Sequence, residues 1–315
     1  MDPSGTFWHN GMRVNATLRR LEWQLYDTAV IEVAVRKLVG VQDLISAGLT
    51  YNVPDALGVT QIVWEQISRM DPAQITMSGI SQTPNDRQEF TLLTLPLPII
   101  HKDFNINIRA LHTSRRIGTP LDVSQAQLSA RLVSEAIETL LFAGTTVLGT
   151  NNAVYGYTTL PQRATGTTNA AWSAAWSIGG SPGTDSGPLI LNDVLSMVNA
   201  SINNNYYGPW MMYVPAPVFT NLGNDFKTYS DRSALERILA VPGIIGVQPS
   251  KDLTGKSVVL VQMDRDVVDM VDGMQPTTLE WEEMGGMIVN FKVMAIMAPR
   301  VKYDYANQSG VVHYS

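Results

Sequence analysis

Four aspartates, Asp264, Asp266, Asp269 and Asp272, crowd one short segment, a density of carboxylates that suits a hard cation. The spacing departs from an EF-hand loop, which needs a glycine at its sixth position and a terminal glutamate. If residues 267–271 form a strand, the aspartates at its two ends are held apart and do not converge. The segment reads instead as a solvated strand edge whose charges guard against wrong pairing. Glu280, Glu282 and Glu283 flank Trp281. Paired carboxylates serve acid–base chemistry only with a cleft and a tuned pKa. Strand alternation puts Glu280 and Glu282 on one outward face, suited to a basic group on another subunit. His9, His101, His112 and His313 lack the His-x-x-x-His spacing of zinc peptidases. No Gly-x-Ser-x-Gly elbow, dinucleotide fingerprint or phosphate loop occurs. The expectation is a non-enzyme with no catalytic, cofactor or metal site. A soluble enzyme or carbohydrate-binding module, supported by the scattered aspartates and aromatics, is the competing class.

The chain has 315 residues, enough for two compact units. Hydrophobic content is an ordinary 45%, but only 16% of residues are charged, against about 25% in typical soluble domains. Interface cores are depleted of charge in the same way, so much of the surface is expected to face other chains. The net charge of −6 argues against a sequence-reading nucleic-acid binder. Arg13, Arg19 and Arg20 form one local basic feature, read as a solvated helix face. The absence of cysteine excludes disulfides, thiol catalysis and thiolate metal sites. The start lacks a signal peptide's regions, and no segment has the apolar length of a membrane helix. A soluble chain made in a cytoplasm is expected.

The elements follow from periodicity. Residues 1–16 read as an extended arm, 16–40 as a helix, and Gly40 and Gly48 bracket a turn. Residues 49–60 are loop-like. Two strand runs, Gln61–Ile67 and Glu89–Leu95, enclose a long polar tip, which makes a projecting hairpin. Residues 99–109 alternate as a half-buried strand, and Thr113–Pro120 is a turn region. From Asp122 to about Ala143 runs one long amphipathic helix. Its stripe is Ala126, Ala130, Val133, Ile137, Leu140 and Leu141. Ser124 with Gln127 is a candidate capping box, with Asp122 the alternative cap, and Gly144 is the terminator. Residues 144–188 shift to Gly, Thr, Ala and Ser and read as a surface excursion, though Trp172 and Trp176 imply that part of it packs. Beyond 189, helices at 190–203, 216–222 and 234–240 alternate with strands at 210–214, 244–247, 258–262 and 267–271. Thr277–Glu283 and Met287–Ala298 close the chain as an antiparallel pair. The fold class is α+β.

This order of parts resembles the major capsid proteins of tailed bacteriophages, with the Hong-Kong-97-like fold shared with encapsulin nanocompartments. The residues that carry the resemblance are Leu95–Phe104, Glu138–Gly144, Tyr155–Pro161, Tyr207–Val214, Leu260–Met274 and Asn290–Pro299. It implies an N-terminal arm and helix at 1–57 and an extended loop at 58–95. It further implies a peripheral domain, made of 96–188 and 276–315 around a spine helix at 122–144, and an axial domain at 189–275. The implied function is a shell of hexamers and pentamers enclosing double-stranded DNA in a virion assembled in a bacterial cytoplasm. Portal, scaffolding and decoration proteins are the implied partners, and no membrane is involved. The alternative is an encapsulin-type compartment enclosing enzyme cargo. Under the resemblance, Arg69, Asp71, Asp86, Arg87 and Glu89 on the hairpin are candidates to pair with a neighbour, with Glu280 and Glu282 as possible mates. Some relatives crosslink through a hairpin lysine. This chain has none between Lys37 and Lys102, so a shell without covalent crosslinks is expected.

Overall fold

The computed structural model describes residues 7–9, 12–14, 38–68, 70, 73, 75, 77, 87–117, 124–147, 149, 153–172, 176–177, 185–284 and 287–315. The helix expected across 16–40 falls outside these except for its last three positions. Arg19, Arg20 and the Asp122 cap also lie outside them.

Two short strands, β1 (Phe7–His9) and β2 (Met12–Val14), pair antiparallel near the start. Helix α1 (Gly40–Ser46) stands where a turn was expected. Two larger sheets follow. The first takes β3 (Thr50–Asn52), β6 (Ile100–Asn107), β11 (Val268–Glu283) and β12 (Ile288–Val301) in the order β3-β11-β12-β6. Only β3 and β11 run parallel in it. The second takes β7 (Ala164–Gly166), β8 (Trp210–Pro215), β9 (Ile244–Ser250), β10 (Val258–Gln262) and β13 (Val311–Tyr314) in the order β7-β13-β10-β8-β9. Strands β4 (Gln61–Ile67) and β5 (Phe90–Pro96) form a separate antiparallel hairpin. The remaining α-helices among the described residues are α2 (Ile108–Ile117), α3 (Ser124–Ala143), α4 (Ser186–Asn203), α5 (Ala216–Asn221) and α6 (Ala234–Leu239).

Helix α3 is the member against which most else packs. Its stripe of Ala126, Ala130, Val133, Ile137 and Leu141 is buried against alternate β12 residues, Val289, Phe291, Val293, Ala295 and Met297. The period of 3.6 on the helix meets the period of 2 on the strand, which is how a helix covers one face of a sheet. Both faces of β10 are buried. Val259 and Val261 join the α3 core, whereas Val258 and Leu260 join a second core under α4 with Ile190, Val194 and Met197.

The C-terminus of α3 is closed by a turn that arrives from further along the chain. Gly144 takes φ +67 and donates its N–H to the Leu140 carbonyl at 3.0 Å. The Leu141 carbonyl then accepts from Tyr157 N–H at 3.0 Å, and the Phe142 carbonyl from Thr158 N–H at 2.9 Å. Last-turn carbonyls have no partner within their own helix, so a second segment must supply the donors. That segment approaches closely because residue 156 is glycine. A methyl group there would lie 2.6 Å from the Phe142 carbonyl oxygen and 2.7 Å from that of Leu141.

Several expectations need correction. Residues 108–117 are helical, because the Asn107 side chain accepts the Arg109 N–H at 2.8 Å and so starts a helix directly after the strand. Residues 268–283 form one long strand with irregular register around Gly273, where two strands were expected. The excursion at 144–188 contributes β7 to a sheet edge and buries Trp172 completely. Asp193 on α4 holds it, accepting from Trp172 Nε1 and from Asn169 N–H, both at 2.8 Å.

The aspartate segment is also not a solvated edge, since β11 lies inside its sheet. Asp269 is only 1% exposed. Its two oxygens accept a fork from Arg300, Nε at 2.8 Å and Nη2 at 2.5 Å, and Lys302 Nζ lies 3.0 Å away. The Arg300 guanidinium stacks 4.6 Å from the Tyr51 ring centre on β3 and 5.7 Å from that of Trp64 on β4. One side chain therefore ties the hairpin base to the first sheet through an ion pair and cation–π contacts.

Two stability outcomes follow. Gly156→Ala is expected to cost about 2–3 kcal/mol by overpacking the helix end. Gly58→Ala, whose methyl would meet nothing nearer than 3.4 Å, stays within about 1 kcal/mol of wild type. Urea unfolding followed by circular dichroism distinguishes them, and equal midpoints would refute the account of the turn. Arg300→Ala leaves the Asp269 carboxylate with Lys302 alone and is expected to cost about 3 kcal/mol. Arg300→Lys recovers little, because an ammonium cannot supply the fork. A wild-type urea midpoint for Arg300→Ala would overturn the clamp.

Candidate functional site

The arrangement nearest to a catalytic constellation lies on β13. His313 Nδ1 accepts from Arg163 Nε at 3.1 Å, and His313 Nε2 lies 2.8 Å from Ser257 Oγ. The polarity is wrong for a nucleophile. With Nδ1 occupied as an acceptor, the ring proton sits on Nε2 and points at the serine, which therefore cannot pass its own proton to the imidazole. Burial, reinforced by the Arg163 charge, pushes the His313 pKa down. This triplet fastens β13 to its surroundings.

Among the described residues no group of three or more His, Asp or Glu side chains could hold a metal ion. Asp264 and Asp266 are exposed in a turn, Asp269 is buried in its ion pair, and Asp272 accepts from Gln275 Nε2 at 3.2 Å. They do not converge. Nor, among the described residues, is any helix long and apolar enough to cross a membrane.

A surface is the stronger candidate. The hairpin register places Val63 opposite Thr94, Glu65 opposite Leu92 and Ile67 opposite Phe90. All six are exposed and share one face. The opposite face carries Ile62, Trp64 and Leu95, and Ile62 and Leu95 are buried at the hairpin base with Val271, Ile296 and Ala298. On the outer face Val63, Ile67, Phe90 and Leu92 lie between 49% and 65% exposed. Ile75 and Met77, further along the tip, are fully exposed. A two-stranded hairpin has too little core to stand alone, and contacts with this chain's own body hold it. Besides Trp64 on Arg300, Gln66 Nε2 donates to the Tyr303 carbonyl at 3.0 Å. Tyr305 Oη donates to Glu89 Oε2 at 3.3 Å.

The charged candidates separate accordingly. Arg69, Asp71 and Asp86 lie outside the described residues. Arg87 and Glu89 are exposed at the start of β5, and Glu89 is already engaged by Tyr305. The expected outward pair Glu280/Glu282 is divided. Glu282 is exposed, but Glu280 is only 4% exposed, because its partner in register is Phe291, on the face covered by α3. Alternation assigned the two to one face correctly but could not show that helices cover only part of that face. Glu282 lies ten residues beyond Asp272 along β11, on the order of 30 Å from the hairpin base.

One titratable residue was missed by the sequence reading. Glu138 sits inside the apolar stripe of α3 and is 6% exposed. Its Oε1 accepts the Gly40 N–H at 2.6 Å and its Oε2 the Val41 N–H at 3.4 Å, which caps α1. Burial raises its pKa to about 7 despite those two bonds, and the nearby Asp252 and Asp43 add to the rise. A charged residue flanked by Val133, Ile137 and Leu141 was the available signal.

A model for a family of unknown function, DUF6260, matches residues 13–314. The chain is 26% identical over 298 residues to the type 1 encapsulin shell protein EncA of Myxococcus xanthus, covering 92% of each. Among solved structures it is similar to the virus-like particle from Pyrococcus furiosus. The TM-score is 0.64 at 15% identity, covering 93% of this chain and 99% of that one. It is similar also to the capsid of Myoviridae phage XM1, with TM-score 0.65 at 10% identity, covering 87% and 91%. At these identities the likeness is one of fold, and it is the Hong-Kong-97-like capsid fold. The chain belongs to the family of unknown function DUF6260.

Proposed function

We propose that this chain is the subunit of a self-assembling protein shell. The observation that carries the reading is the hairpin's outer face. Its apolar side chains point away from the body of a chain whose fold, along nearly its whole length, is that of capsid subunits. In this reading the hairpin is the extended loop that lies over a neighbour. Residues 96–188 and 276–315, around α3, form the peripheral domain, and residues 189–275 form the axial domain that gathers at five- and sixfold centres, with β11 running from the one into the other. Burying one such apolar side chain contributes about 1.5–3 kcal/mol when complete and less from a half-exposed start. Arg87, Glu89 and Glu282 are the charged candidates for the same contacts, each worth about 0–1 kcal/mol. Apolar burial repeated around the shell therefore dominates, and the charges select register.

Two contents fit the container. The first reading is a phage head enclosing double-stranded DNA, with portal, scaffolding and decoration proteins as partners and the virion as location. The likeness to the phage XM1 capsid favours it. The second is a compartment enclosing enzyme cargo, favoured by the sequence similarity to the Myxococcus shell protein.

Purified protein is expected to appear as closed particles by electron microscopy and light scattering, and a persistent monomer at physiological salt would defeat the proposal. The double variant Phe90→Asp/Leu92→Asp is expected to abolish particles while leaving the circular dichroism of the subunit unchanged. Arg87→Glu is expected to lower particle heat stability by a few degrees. Extraction of particles made in the native host separates the contents, since a head yields DNA and a compartment yields a second protein. Boiled particles on a denaturing gel are expected to give one band near 34.6 kDa, and a ladder of higher masses would show that covalent crosslinks form.

A further inference from the structure

The junction between α3, α1 and the second sheet holds more carboxylate than its structural task requires. Glu138 bridges α3 to the first turn of α1, and the approach is close. A methyl on Gly40 would lie 3.2 Å from Glu138 Oε1 and 2.9 Å from Leu141 Cδ2. Each element packed around Glu138 presents a titratable or charged group to the junction. α1 presents Asp43, which accepts from Tyr213 Oη of β8 at 3.1 Å. The turn beyond α3 presents Tyr157, whose buried hydroxyl has no hydrogen-bond partner among the described residues. The segment after β9 presents Lys251 and Asp252, and α3 itself presents Arg131 and Glu135.

The cations are committed elsewhere. Arg131 Nε lies 2.9 Å from Glu135, and Lys251 Nζ lies 3.4 Å from the same carboxylate. The carboxylates closest in influence, Asp43 and Asp252, repel a negative Glu138. Asp252 is itself tethered to α3, accepting from Thr139 Oγ1 at 2.6 Å. A cleft of about 490 Å³, lined by Glu138, Thr139, Lys251, Asp252 and Val39 among others, gives water a route to the junction.

We propose that this junction is a proton-operated latch, in which Glu138 fastens α1 to α3 as a neutral carboxyl and loosens it as an anion. A neutral carboxyl still accepts the Gly40 N–H through its carbonyl oxygen and needs no counter-charge. An anion in the same place has two backbone donors but is buried beside two like charges. The direction follows from linkage. Glu138 titrates higher in the folded chain, about 7, than its ordinary 4.5. The folded state therefore holds the proton more tightly, and the stabilisation is complete below about 4.5 and is lost as pH rises through 7. Asp43, which burial also raises despite the Tyr213 bond, acts in the same direction. The latch is a property of the subunit and does not rest on shell formation.

Amide hydrogen exchange of α1 tests the latch, expressed as protection factors so that the intrinsic pH dependence of exchange is removed. Between pH 5 and pH 8 the protection of Gly40–Ser46 is expected to fall at least tenfold in wild type, with most of the fall complete by pH 7 and little change above it. In Glu138→Gln it stays constant within twofold. Asp43→Asn is expected to end the fall at lower pH, a shift that a merely structural role for Glu138 would not produce. If Glu138→Gln fails to fold, an infrared carboxyl titration of the wild-type chain is set beside its exchange data. The latch requires the carboxyl band and the α1 protection to change over the same pH range, whereas a band that titrates with no change in protection overturns it. Protection that is flat in wild type, or that falls equally in Glu138→Gln, would overturn the proposal.

Discussion

Three rings join the second sheet and the turn after α3 to the end of that helix. Phe142, in the last turn of α3, meets Tyr157 edge-on at 5.6 Å and Tyr213 edge-on at 5.2 Å, and the two tyrosines stack at 6.0 Å. Tyr213 belongs to β8 in the second sheet, and Tyr157 belongs to the turn that closes the helix. The rest of the architecture depends on this contact. Were α3 to run on past Gly144, the turn could not supply donors to the carbonyls of Leu141 and Phe142, and Tyr157 would have no floor. Aromatic pairs of this kind contribute about 0.5–1.5 kcal/mol each beyond the area they bury. Their larger effect is geometric, because rigid rings with few rotamers fix how the helix end sits against β8.

The hairpin is built on a different principle. The body surrounds its core on several sides, whereas β4 and β5 are buried at one end only and held along the rest of their length by few side chains. The Arg300 clamp shows how such an attachment can be firm. The guanidinium is charge-neutralised by Asp269 inside the first sheet, so its flat face can lie against Tyr51 and Trp64 without facing water. Sheet interior and hairpin base then share one side chain. The polar contacts Gln66–Tyr303 and Glu89–Tyr305 lie further out and are more exposed. The ties to the body therefore grow sparser from the base outward along β4 and β5.

What could be read from the sequence was whatever depended on local period. The α3 stripe, the five-residue run of β10, the buried β8 and both hairpin strands are each repeated by side-chain alternation within a few residues. What could not be read depended on distant partners. Asp269 looked like a surface charge because its neutralising Arg300 lies 31 residues away on the adjacent strand. Helix α2 was hidden because Ile106 and Ile108 continue the strand alternation across Asn107, and only the backbone shows that asparagine capping a helix. Glu280 and Glu282 share a face as alternation requires, but how far the covering elements extend over that face is a tertiary matter. The excursion at 144–188 was legible only in its tryptophans. Its anchor is Asp193 on α4, which a composition-based reading treats as one more surface charge.

The distribution of charge draws these features together. The chain has few charged residues to begin with, at 16% of its length, and it places several of them indoors. Glu138, Asp193, Asp269, Glu280 and Arg300 are all buried. Interior ion pairs and buried carboxylates rarely add net stability over apolar packing, and their best-attested value is to specify one arrangement over others. Here they sit where separate segments must register: α1 on α3, the 169–172 segment on α4, and the hairpin base on the first sheet. The corollary is an outer surface with fewer charges than composition alone suggests, carrying exposed Val63, Phe90, Leu92, Leu128 and Leu132. Water tolerates scattered apolar side chains, but a face combining them with sparse charge is better matched to protein. Internal specification and a charge-poor exterior bearing exposed apolar side chains are thus two results of the same economy of charge.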